Sequence, residues 1–94
     1  MNYPIHKNSI HRNPNLITRL IDGEAVIMLP EIGKVLALNE VGSFIWDLVD
    51  GEHSQADMVE ALCLEFEVSK EEATADVEEF LEVLKAKNLL LCEA

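Results

Sequence analysis

The sequence predicts a small α+β domain: a three-stranded antiparallel meander followed by three helices, in a winged helix-turn-helix-like order. Three observations carry this. "LITRLI" and "EAVIML" flank Asp22-Gly23, a dipeptide that tolerates the positive φ angles of a two-residue hairpin turn. "KVLAL" at 34–38 runs directly into Asn39, a good helix N-cap. Ser54 and Ser69 each open a stretch of helical apolar spacing and carry an acid three residues on.

Taken in order, residues 1 to 14 hold two prolines and no periodicity, so a flexible N-terminal arm is expected, with structure beginning near Leu16. The first two strands follow on either side of Asp22-Gly23. "PEIG" is the second turn, with Pro30 suited to its start and Gly33 to its end. The third strand is Lys34, Val35, Leu36, Ala37 and Leu38. After Asn39, Val41, Phe44, Ile45 and Leu48 share one helix face, and Trp46 lies to another side, against a neighbouring element. Gly42 permits the meander to pack closely on this helix. "DG" at 50–51 stops it. The second helix opens at Ser54 with Asp57 as a weak capping box, and buries Val59, Leu62, Cys63 and Phe66. The third opens at Ser69 with the stronger Ser-x-x-Glu box to Glu72, and buries Ala73, Val77, Phe80, Leu81 and Leu84. Asn88 ends it, and "LLL" at 89–91 reads as a short extended tail.

The 94 residues fit one domain with a modest core. No apolar run approaches the roughly 18 residues of a membrane span, and the N-terminal stretch lacks a secretory pattern, so a cytoplasmic protein is expected. The formal charge is −11 and is unevenly placed. Lys7, Arg12 and Arg19 stand without an acid in the first 21 residues, whereas residues 40–94 hold fifteen acids against Lys70, Lys85 and Lys87. The third helix carries Glu71, Glu72, Asp76, Glu78, Glu79 and Glu82, a poor fit to a phosphate-lined groove. Nucleic acid is therefore not an expected partner.

Chemistry finds little purchase. Ser54 and Ser69 are accounted for as caps, and Ser43 lies in a helix with no histidine nearby in sequence. There is no Gly-rich phosphate loop, and no His/Cys/Asp/Glu spacing suggests a metal. Cys63 and Cys92 form no CxxC and are read as free thiols. No catalytic residue, metal or cofactor is expected. What remains is a binding module, because an edge strand offers unpaired N–H and C=O groups to a second chain.

Five segments carry a resemblance to a known family: "RNP" at 12–14, "DGEAVIMLPEIGKV" at 22–35, "LNEVGSFIWDLVDG" at 38–51, "ALCLEFEVS" at 61–69 and "ADVEEFLEVLKAKNLL" at 75–90. Together they resemble the PqqD-like family, named for pyrroloquinoline quinone biosynthesis protein D, over roughly residues 12 to 91. The resemblance implies a domain over 15–94 that recognises peptides. Family members bind the leader segment of a ribosomally made, post-translationally modified precursor and present it to a modifying enzyme, often a radical S-adenosylmethionine enzyme. The leader adds as a strand beside the third strand, against the third helix. Carried onto this chain, the contacts are Lys34, Val35, Leu36, Ala37 and Leu38 from the strand, with Asp76, Val77, Glu79, Phe80 and Val83 from the helix. The family often has an aromatic where this chain has Val35 and Leu36, so the resemblance is to the broad family and leaves the peptide unnamed. The alternative is a winged-helix regulator or a protein–protein interaction subunit. A homodimer is left open.

Overall fold

The computed structural model describes residues 10–30 and 33–91. A two-residue strand, β1 (His11–Arg12), precedes the meander of β2 (Ile17–Ile21), β3 (Glu24–Leu29) and β4 (Lys34–Ala37). Helices α1 (Glu40–Asp47), α2 (Gln55–Phe66) and α3 (Lys70–Ala86) follow, and β5 (Leu90–Leu91) closes the chain. The meander has the order β2-β3-β4 and is antiparallel throughout. The α+β architecture read from the sequence is the one observed.

Local chemistry explains the elements. Asp22 and Gly23 both take positive φ (54° and 83°), as a two-residue hairpin that follows the strand twist requires. β3 alternates strictly, burying Ala25, Ile27 and Leu29 under the helices. The Asn39 side chain accepts from the Gly42 amide at 2.7 Å and starts α1. Among the described residues only Ser54 closes a capping box in both directions, with Asp57. Ser69 accepts from the Glu72 amide at 3.1 Å, half of the box. The strength expected of the two boxes is therefore reversed: the shorter aspartate reaches back to its cap. α3 ends in a Schellman motif, with Asn88 left-handed (φ 63°), Leu89 N–H on Leu84 O and Asn88 N–H on Lys85 O.

The core lies between the inner face of β3 and the three helices. Ile27, Ile45, Trp46, Val49, Met58, Leu62, Val77 and Leu84 are its largest fully buried side chains. Val49 and Met58 were not on the helical faces read from the sequence. Phe44 and Phe66 meet edge to face, with centroids 5.4 Å apart, and join α1 to α2.

The expected arm needs correction where it is described. His11 and Arg12 pair antiparallel with Leu91 and Leu90. The Gly51 amide donates to Ile10 O (2.9 Å), and the Asn13 amide to Leu89 O (3.0 Å). The Arg12 guanidinium lies 4.3 Å from the Trp46 ring centroid and donates to Trp46 O at 2.7 Å. Residues 10–13 thus strap the end of α1 to the end of α3. Of the expected arm, residues 1–9 lie outside the described residues, as do Glu31 and Ile32 of the second turn and Cys92.

Candidate functional site

Among the described residues β4 has one neighbour in the sheet, β3, and its other edge is unpaired there. Which backbone groups face that edge follows from the ladder. The Leu38 amide donates to Ala25 O at 2.9 Å, continuing the register in which Leu36 faces Ile27 and Lys34 faces Leu29. Antiparallel bonding alternates along a strand. Lys34, Leu36 and Leu38 therefore turn their polar groups toward β3. Val35 and Ala37 turn theirs outward.

A groove of about 410 Å³ runs along this edge, bounded by Leu36, Ala37 and Leu38 on one side and by Asp76, Glu79, Phe80 and Val83 on the other. Asn39, Val41, Gly42 and Ile45 of the α1 end form its floor. The floor depends on Gly42. A Cβ there would lie 3.3 Å from Phe80 Cε1, 3.2 Å from Asn39 Oδ1 and 3.4 Å from Leu38 Cβ. Its absence lets Phe80 lie over α1 instead of being pushed outward. A second hollow of about 320 Å³ continues past Leu36 toward the end of α3, lined by Lys34, Val35, Ala86, Lys87 and Leu89 among others.

Nine of the ten positions named from the sequence line one hollow or the other. Val77 does not. It is fully buried in the core, because the helical stripe that holds both Val77 and Phe80 presents only Phe80 to the edge of β4. Val35 (61% exposed), at the second hollow, and Val83 (40%), at the groove, are apolar side chains left open to water. Sequence reasoning missed the floor residues Val41, Gly42 and Ile45, and missed Lys87. For Gly42 a signal existed: a glycine one turn into a helix without a turn to explain it.

The Ser43 hydroxyl is engaged on both sides by backbone groups. It accepts from the Ala25 amide at 2.8 Å and donates to Leu38 O at 3.4 Å, pinning α1 to β3 and to the end of β4. No cluster that would hold a metal occurs among the described residues, and no helix there is long and apolar enough to cross a membrane. Three ionisable groups away from the groove are shifted: Arg12, Asp50 and His53. The Asp50 carboxylate, 2.9 Å from His53 Nδ1, raises His53 above its ordinary value against the opposing effect of burial. Burial pulls the Arg12 guanidinium down, and the nearby Asp47 and Asp50 carboxylates pull it back.

A family model described as Coenzyme PQQ synthesis protein D (PqqD) matches residues 24–90, which include the meander from β3 onward and all three helices. This chain belongs to the PqqD family. Two solved structures place it among PqqD-like folds in more detail. One, "TbiB1 in Complex with the TbiA(beta) Leader Peptide", is 30% identical with a TM-score of 0.82, covering 89% of this chain and 98% of that one. The other, "Lasso peptide synthetase B1 complexed with the leader peptide", is 27% identical with a TM-score of 0.78, covering 88% and 98%. No curated protein matches. The family match begins at the first residue of β3 and ends inside β5, so the strap and β2 lie before it.

Proposed function

We propose that this PqqD-family chain is a non-catalytic peptide chaperone. It binds the leader segment of a ribosomally made precursor as an added strand on β4, and presents that precursor to a modifying enzyme. The observation that carries the reading is the outward set of Val35 and Ala37 backbone groups beside a groove walled by α3. Main-chain bonds to those groups supply affinity, and side-chain hollows supply choice. The two solved relatives, each complexed with a leader peptide, support it. The protein works in the cytoplasm.

The sequence resemblance favours a radical S-adenosylmethionine enzyme as the recipient. A second reading, in which the recipient belongs to a lasso peptide synthetase, is favoured by the relative that is itself the B1 of such a synthetase. The regulator alternative fares worse, since six acids crowd α3.

Calorimetric titration tests the proposal, using leader peptides of candidate precursor genes from the same genome. Ala37→Pro removes one outward N–H and no bond to β3, so the fold survives while affinity drops at least about tenfold. Unchanged affinity in a folded variant would place the peptide elsewhere.

A further inference from the structure

The two hollows on either side of Leu36 carry opposite charge. The one toward the end of α3 is lined by Lys34 and Lys87 and, among the described residues, by no carboxylate. That is an unusual concentration in a chain with seven cationic residues against eighteen acids. The one toward α1 is lined by Asp76 and Glu79 and, among the described residues, by no cation. Among the described residues, none of these four side chains is held in an ion pair, since the one ion pair there joins Asp50 and His53. Apolar side chains flank each pair: Ile27, Leu29 and Leu89 in the first, Leu38, Val41, Phe80 and Val83 in the second.

We propose that the groove selects its guest by an oppositely charged pair: an acidic side chain seated at Lys34 and Lys87, and a basic one seated at Asp76 and Glu79. This rests on the reading that a peptide adds to β4. Period two then fixes the spacing. Lys34, Leu36 and Leu38 share the inner face of β4, opposite Leu29, Ile27 and Ala25. A guest strand in the same sheet sends every second side chain to that face, so the two charges stand two or four residues apart. Four residues at roughly 3.3 Å each span about 13 Å, the reach from Lys34 to Leu38. An odd spacing would aim one charge away from the groove. The amphipathic walls suit Glu and Lys or Arg, whose methylene stems bury while the charged end stays wet.

The test uses the full chain and a biotinylated pool of randomised nonapeptides, with bound peptides sequenced by mass spectrometry. Wild type, Lys34→Gln/Lys87→Gln and Asp76→Asn/Glu79→Gln are compared. Lys34, Glu79 and Lys87 are exposed and Asp76 is half-buried, so the amide replacements leave far-UV circular dichroism unchanged. Wild type enriches peptides with an acid and a base two or four apart, by up to about fivefold per charge. The lysine variant loses the acidic preference alone, and the acid variant loses the basic preference alone. Enriched peptides without that charge pair, or with odd spacing, overturn this inference and leave peptide binding standing. No enrichment of any peptide overturns both.

Discussion

The Ser43 hydroxyl accepts the Ala25 amide at 2.8 Å, and through it α1 is fastened to the buried start of β3. Because the same oxygen donates to Leu38 O, one side chain sets how the end of β4 approaches α1. Ser43→Ala leaves the Ala25 N–H buried without a partner, which costs about 1–3 kcal/mol. A domain of this size should then melt roughly 5–15 °C lower. Thermal denaturation by circular dichroism checks this, and an unchanged midpoint would mean that the amide finds water.

Arg12 ties the N-terminal strap to Trp46 through both a ring contact and a bond to Trp46 O. Its Nε is buried without a hydrogen-bond partner among the described residues, so the guanidinium is held by those two contacts rather than by a full set. Arg12→Ala should cost about 1–3 kcal/mol and shift Trp46 emission to the red as β1 loosens. Arg12→Lys should not restore either, because an ammonium lacks the planar face that stacks.

Gly51 serves the same strap. It holds φ at 86°, and an added Cβ would fall 2.6 Å from His11 Nδ1. Gly51→Ala is therefore strained twice, by backbone and by contact. A loss of about 1–3 kcal/mol is expected in urea titration, with an unchanged m-value if the chain stays two-state.

At the groove floor stability and binding should separate. Gly42→Ala gains up to about 1 kcal/mol of helix preference and loses a similar amount to crowding by Phe80, Asn39 and Leu38. The melting midpoint should barely move. Leader affinity should fall, because Phe80 is pushed into the space the peptide would occupy. A titration with equal affinity would show that the floor is not used.

The Asp50–His53 pair predicts a shallow pH dependence. His53 is raised mainly by its bond to Asp50, so its contribution is complete below 6.5, its ordinary value, and is lost as pH rises through the higher folded value. For Asp50, burial alone would raise the carboxyl. The bonds from His53 and from the Glu52 amide outweigh it, so the folded value lies below 3.8. Its contribution is complete above 3.8 and lost as pH falls through the folded value. The pair thus helps most between 3.8 and 6.5. Both groups are largely solvated, so the effect is small. His53→Gln should flatten the stability profile above pH 6.5, and a profile equal to wild type would remove the pair from it.

Much of this was legible in the sequence, because local chemistry decides it. Asp22-Gly23, Asn39, Ser54, Ser69 and Asn88 each act within four residues of themselves, and each turn, cap or stop stands where the sequence put it. The edge strand was legible for the same reason. The strap was not, since two residues of β1 have no period of their own and are defined by Leu90 and Leu91 at the far end of the chain. Helical spacing could not separate Val77 from Phe80, because both sit on one apolar stripe and only the position of β4 decides which one is covered. Lys87 was hidden likewise. Its neighbourhood with Lys34 exists only after α3 has folded back along the sheet.

Amide hydrogen exchange by NMR, with and without a leader peptide that the titration shows to bind, tests strand addition at β4 most directly. Leu36 and Leu38 amides already bond within the sheet and should be slow in both states. Val35 and Ala37 amides face outward and should be fast in the free protein and slowed at least about tenfold in the complex. Slowing confined to β2 or to residues before Leu16, with Val35 and Ala37 unchanged, would contradict peptide binding at this edge.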